Sequence, residues 1–185
     1  MTRAQTAARI AGLRLIPRGF RASSGQESER DERFLRDALR QARRAERRGE
    51  IPIGAVVVVS GEVIGRGYNR PIAARDPTAH AEIVALRRAA RRMGNYRLDD
   101  AELFVTLEPC LMCFGAMIQA RLARVVFGAP DPKVGCLSGP GQERPDVEAC
   151  FRGLNHRFAV RSGVLAEEAS ALLEAFFRGR RKQQS

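Results

Sequence analysis

Lysine and histidine are almost missing from this chain, and cysteine is sparse. Only Lys133 and Lys182 among its 32 basic residues are lysines, and 185 residues contain two histidines and four cysteines. Four cysteines do not make a disulfide framework for a chain of this length. Long apolar runs are missing too. The longest, Ile53 to Val59, includes Gly54 and has the length of a buried strand, far short of a membrane span. A membrane protein and a disulfide-stapled secreted module are therefore excluded. The length and the 44% hydrophobic content suit one soluble domain with a single core.

Acidic residues are also in short supply. There are 21 of them, so the net charge is +11, which favours a polyanionic partner. An arginine bias follows genome composition as readily as phosphate chemistry. Five of the arginines (Arg3, Arg9, Arg14, Arg18 and Arg21) lie in the acid-free first 25 residues, leaving +6 for the rest. Residues 1–25 also carry Pro17, Gly19 and Ser23-Ser24-Gly25 and are expected to be a flexible basic extension, with residues 26–185 forming the domain. Arg9 and Arg14 interrupt any secretory apolar region. The expected location is the cytoplasm, with an organelle as the lesser alternative because the extension resembles a transit peptide.

Phe34, Leu35, Ala38, Leu39, Ala42 and Ala45 recur at helical spacing and predict an amphipathic helix over Glu29 to Arg48. Ala55 to Ser60 and Glu62 to Tyr68 predict a hairpin turning at Ser60-Gly61. Further expected elements are a helix from Ala79 to Arg92, strands at Glu102 to Leu107 and Arg124 to Gly128, and a helix from Pro109 to Ala120. A long loop spans Ala129 to Pro145, followed by a short helix at Asp146 to Arg152, a strand at Arg157 to Arg161 and a helix at Ala166 to Arg181. Alternating helices and strands behind a hairpin give an α/β domain: a five-stranded mixed sheet between helical layers.

The scarce metal-binding residue types are not scattered. His80-Ala81-Glu82 is followed, after 26 intervening residues, by Pro109-Cys110-Leu111-Met112-Cys113. One nitrogen and two sulfur donors hold zinc with a fourth position open, and such zinc keeps a water whose pKa falls towards roughly 7. A closed structural site needs a fourth ligand, and only His156, Cys136 and Cys150 remain to supply one. Glu82 adds a carboxylate that a structural site does not need but a proton-moving site does. The Asp76-Pro77-Thr78 turn, with Thr78 as a capping residue, predicts His80 and Glu82 in a first helical turn. Pro109 at a first helical position predicts the same for the cysteines. Two helix N-termini would then face one metal and favour thiolates.

His-x-Glu with Pro-Cys-x-x-Cys resembles the signature of zinc-dependent cytidine/deoxycytidylate-type deaminases. Within them, Val63 to Pro71, Asp76 to Glu82, Asn95 to Leu98, Val105 to Cys110, Arg124 to Ala129, Leu154 to His156 and Phe176 to Arg178 are similar to bacterial tRNA-specific adenosine deaminases, over about Glu29 to Arg181. The resemblance implies a three-layer deaminase fold, a homodimer without membrane attachment, and conversion of a tRNA wobble adenosine to inosine. It also implies one Zn2+ per subunit on His80, Cys110 and Cys113, Glu82 as proton shuttle, and Asn69 hydrogen-bonded to a flipped base. Ile51, Pro52, Ala81 and Leu107 are the implied pocket residues, and Asp131, Phe177 and Arg178 the implied RNA contacts.

Two features depart from the family pattern. Ala129-Pro130-Asp131 stands where an Ala-Arg-Asp sequence is common, so one basic contact is expected to be missing, and Gly135 to Gly153 is longer than the pattern. Two rival readings share the metal site: a free nucleobase or nucleoside deaminase of guanine or cytosine type, and a non-catalytic zinc-stabilised RNA-binding subunit.

Overall fold

The computed structural model describes residues 24–137 and 150–184. Its elements, in chain order, are α1 (Ser24–Glu46), β1 (Gly54–Val59), β2 (Glu62–Tyr68), α2 (Pro71–Ala74), α3 (Ala81–Met93), β3 (Glu102–Leu107), α4 (Leu111–Ala120), β4 (Arg124–Ala129), β5 (Ala159–Arg161) and α5 (Ala166–Gln184). Among the described residues no helix is long and apolar enough to cross a membrane.

The sheet runs β2-β1-β3-β4-β5. β1 pairs antiparallel with β2 and β3, while β3, β4 and β5 are parallel neighbours, so the sheet is mixed as the leading hairpin requires. Ser60 and Gly61 both adopt positive φ, the geometry of a two-residue hairpin turn. β1 is a continuous apolar run because both of its faces are covered. Val56 and Val58 pack with Phe34, Leu35, Ala38 and Phe104 on one side, and Ala55 and Val57 pack with Ala85, Leu86, Leu103 and Met117 on the other. Helices α1 and α5 therefore form one layer and α3 and α4 the opposite one, giving the expected three-layer architecture. Burying a phenylalanine such as Phe34 against Phe104 stabilises by about 1.5–3 kcal/mol.

An ion network absent from the sequence reading fixes α1 across the sheet. Asp31 is fully buried and accepts a two-pronged pair from Arg124 at 2.6 and 2.8 Å, plus Arg161 at 2.7 Å. Arg30 and Arg124 in turn hold Glu102. Glu27 pairs with Arg124 and Ser28 with Arg161, which anchors the first turns and explains why the helix starts at Ser24 rather than near Glu29. Ser24-Gly25 is thus helical and not a break. The rest of the expected extension, residues 1–23, lies outside the described residues, as do most of the expected loop end and short helix between 138 and 149. The last helix runs to Gln184, three residues beyond expectation, and β5 is shorter, beginning at Ala159.

Candidate metal centre

Both metal-bearing helices begin later than the sequence suggests. The N-cap residues are His80 (φ −67°, ψ 155°) and Cys110 (φ −78°, ψ 170°), and neither side chain caps its own helix. Thr78 does not cap α3 either. Its amide and hydroxyl donate to Asp76 Oδ1 at 2.8 and 2.7 Å, an Asx-type turn that leads the chain into His80 and holds the Asp76 carboxyl below its ordinary pKa. Pro109 precedes the cap of α4 instead of starting the helix. An extended backbone at both caps frees the two side chains to turn off the helix ends, and Cys113, one turn into α4, joins them.

His80 Nδ1 lies 3.7 Å from Cys110 Sγ and 3.6 Å from Cys113 Sγ. With Zn–S near 2.3 Å and Zn–N near 2.0–2.1 Å, a tetrahedral ion puts its nitrogen and sulfur ligands about 3.6 Å apart. The donor set therefore fits zinc in both chemistry and spacing. All three ligand atoms fall within 4.8 Å of one another, and no fourth residue of the described chain joins them. His156 Nε2 is instead on the Leu122 carbonyl at 2.7 Å, Cys136 Sγ donates to Pro109 O and Cys150 Sγ to Cys136 O. One coordination position is thus left to solvent or substrate. A hydrogen bond from Cys113 pulls the Cys110 thiol down to about 4, and the same partnership pushes the Cys113 thiol far up. Hydrogen bonding to Cys110 raises the pKa of His80. A bound metal cation would favour both sulfurs as thiolates.

Glu82, in the first turn of α3, is 4% exposed beside Cys113, and burial pushes its carboxyl above the ordinary glutamate value. A carboxyl whose proton affinity is raised by burial is suited to accept and return a proton, as a general acid/base must. Asn69 follows β2 directly and is buried. Its Oδ1 accepts the Ala81 N–H at 3.2 Å, supplying from a distance the cap that His80 does not. That bond turns the Nδ2 end of the amide into the donor available to a ligand. Ala81 is fully buried, and its amide is already taken by Asn69.

The remaining expected residues lie on other elements and loops, with contacts of their own. Pro52 is buried and Ile51 is 39% exposed, on the loop between α1 and β1. Leu107 packs towards Leu39, Ala129 and Ala169, between the end of the sheet and α5. Asp131 is held in a local turn, its Oδ1 accepting the amides of Lys133 and Val134. Phe177 is exposed, and Arg178 pairs with Glu174 on the solvent side of α5. Arg180 of the same helix donates to the Gly49 carbonyl at 2.6 Å, which brings the end of α5 to the loop carrying Ile51 and Pro52.

Sequence reasoning missed two buried carboxylates. Glu50 accepts the amides of Ala73 at 2.8 Å and Ile72 at 3.4 Å, tying the Ile51-Pro52 loop to α2 just beyond Asn69. Glu108 accepts Leu137 N at 2.7 Å and Asp131 N at 3.0 Å, and Cys110 forms a β-bridge with Gly135, so the loop after β4 is fastened beside the metal ligands. An acid at a strand–helix junction was the one available signal for Glu108; nothing local marks Glu50.

Residues 28–129, more than half of the chain, match the family described as cytidine and deoxycytidylate deaminase zinc-binding region. The chain belongs to this deaminase family. Among deaminases, the tRNA-specific adenosine deaminase of Haemophilus influenzae is 48% identical over 157 residues, covering 84% of this chain and 88% of that protein. A solved structure from a study of A-to-I editing by tRNA:A34 deaminases at the wobble position aligns with TM-score 0.70 and 42% identity, over 76% of this chain and 99% of the other. A guanine deaminase from Nitrosomonas europaea aligns with TM-score 0.67 and 29% identity, over 88% and 86% of the two chains. The deaminase family's zinc requirement agrees with the His80, Cys110 and Cys113 cluster, one ion per subunit.

Proposed function

We propose that this chain is a zinc-dependent tRNA adenosine deaminase, converting the wobble adenosine of an anticodon to inosine. The observation that carries the reading is the three-donor centre with buried Glu82 beside it and Asn69, just after β2, bonded to the Ala81 amide at the start of the same helix. The similarity to the H. influenzae deaminase over most of both chains supports tRNA rather than a free base as substrate. His80, Cys110 and Cys113 would hold the ion, which supplies a water of lowered pKa.

Glu82 takes a proton from the attacking water and delivers it to the purine ring as the water oxygen bonds carbon six, then takes the remaining proton of that oxygen and passes it to the departing amino nitrogen as the carbon–nitrogen bond breaks. Adenosine and water leave as inosine and ammonia, the chemistry general to this superfamily. Asn69 Nδ2 donates to the flipped base, with its orientation fixed by the Ala81 amide. Ile51, Pro52 and Leu107 border the pocket, and Asp131, Phe177 and Arg178 meet the RNA at its rim. Taking a base from a single-stranded loop costs little unpairing energy, so a loop adenosine is the accessible target.

The family resemblance also implies a homodimer. Leu111 at 70% and Val134 at 60% exposure, on either side of the Cys110–Gly135 bridge, support a second copy covering that surface. Thiolate ligands suit a reducing cytoplasm, the compartment we assign. The test of function is inosine formation in a tRNA carrying A34, with free adenosine and guanine as competing substrates. Deamination of guanine with no effect on tRNA would favour the free-base reading suggested by the Nitrosomonas europaea relative.

A further inference from the structure

The arginines of α1 divide into two populations. Towards its start and middle, Arg30, Arg36 and Arg40 are paired with Glu102, Glu32 and Asp37, while Arg33 lies over the Phe34 ring and donates to the Gly61 carbonyl. At its end and in the turn just beyond it, Arg43, Arg44, Arg47 and Arg48 form no ion pair with any described residue. The only other charged residue between 43 and 49 is Glu46, and the next acid, Glu50, is buried and committed to the amides of Ile72 and Ala73.

Cations at a helix C-terminus suit its dipole, but that explains neither their order nor their convergence. The guanidinium groups of Arg44 and Arg48 lie 5.2 and 5.4 Å from the centre of the Tyr68 ring, which immediately precedes Asn69. Arg180 arrives from α5, bonded to Gly49 O and 5.3 Å from the Phe176 ring. Ring stacking restrains these side chains without neutralising them, so much of the ordering entropy of a later contact is already spent.

We propose that Arg44, Arg47 and Arg48, with Arg180 across Gly49, form a phosphate-binding surface for the RNA backbone flanking the flipped adenosine. This rests on the tRNA reading above. The guanidinium fork matches phosphate oxygens, and an anion held beside Tyr68 and Asn69 is one delivered together with the base. A free base would bring no such anion. Arg44 lies in the last turn of α1 and Arg47 and Arg48 in the turn that follows it, all three exposed, so they cluster at the helix end beside Gly49.

The test compares Arg44→Gln/Arg47→Gln/Arg48→Gln with wild type on an anticodon hairpin carrying A34. A second triple, Arg88→Gln/Arg91→Gln/Arg92→Gln, removes equal charge from α3. The first should raise KM about tenfold or more and leave kcat within about twofold. It should also lower the salt dependence of log KM by roughly 0.7 for each phosphate that is no longer neutralised. The α3 triple should leave KM within about twofold, and Arg44→Lys/Arg48→Lys should recover part of the salt dependence. Unchanged KM and salt slope in the first triple, while wild type still makes inosine, would overturn the surface alone, as would an equal effect from the α3 triple. Wild-type protein that makes no inosine from the hairpin would overturn the tRNA reading and this surface with it.

Discussion

Gly67 passes so close to α3 that a Cβ on it would stand 2.0 Å from the Ala81 carbonyl oxygen and 2.6 Å from the Ala85 amide. That approach seats the start of α3, and with it His80 and Glu82, against the end of β2 where Asn69 follows. Gly67→Ala should push the helix off the strand. Overpacking of this kind costs about 1–3 kcal/mol. Thermal unfolding of the zinc-loaded protein should show a lower midpoint, and competition with a metal-binding dye should show weaker zinc affinity. An unchanged affinity would mean that the helix start does not depend on this close approach.

Glu82 is proposed to carry the proton and not to bind the ion. Glu82→Gln keeps the shape of the side chain and removes its basicity, so turnover should fall about 10²–10⁴-fold, the usual worth of a general acid/base. Zinc measured by atomic absorption should stay at one per chain. Loss of zinc together with activity would turn Glu82 into a structural residue.

Glu50 is the buried link between the Ile51-Pro52 loop and the helix following Asn69. Glu50→Ala leaves two backbone donors without their acceptor, at about 1–3 kcal/mol if they stay buried. Stability should drop and KM for tRNA should rise with zinc retained. Glu50→Gln, which keeps one acceptor oxygen, should recover part of both. KM unchanged in Glu50→Ala would show that the loop holds its place without the carboxylate.

Asp76 ties the turn ahead of His80 to Thr78, and its folded pKa is depressed by those hydrogen bonds. A depressed carboxylate contributes stability above its unfolded pKa and loses that contribution as pH falls through the folded one. The difference in melting temperature between wild type and Asp76→Asn should therefore be present at neutral pH and shrink as pH falls through and below the ordinary carboxylate range. The effect should be small, since Asp76 is solvated. A gap that widened in acid would contradict the assignment.

What could be seen beforehand depended on how local the cause was. His80, Cys110 and Cys113 were legible because coordination chemistry admits few residue types and their spacings are short; Glu82 stood out only as an acid two residues from His80. The strands were legible because β1 is apolar throughout and the hairpin needs Ser60-Gly61. Helix starts were misplaced for a physical reason: Thr78 and Pro109 look like capping signals, but the caps are the metal-binding residues themselves, and Asn69 caps α3 from 12 residues away. Glu50, Glu108 and Asp31 were invisible because their partners lie 22 to 130 residues distant and are backbone amides or arginines indistinguishable in sequence from any others. Phe177 could have been core or RNA contact by sequence; its exposure puts it on the surface of α5 and not in the core.

The most direct measurement is the nucleoside composition at the wobble position after zinc-loaded protein has acted on an unmodified tRNA bearing A34, next to matched reactions with free adenosine and free guanine. Stoichiometric inosine and ammonia from the tRNA, with the free compounds almost untouched, is the predicted result. Intact adenosine at that position after prolonged incubation with metal-replete, folded protein would contradict the account.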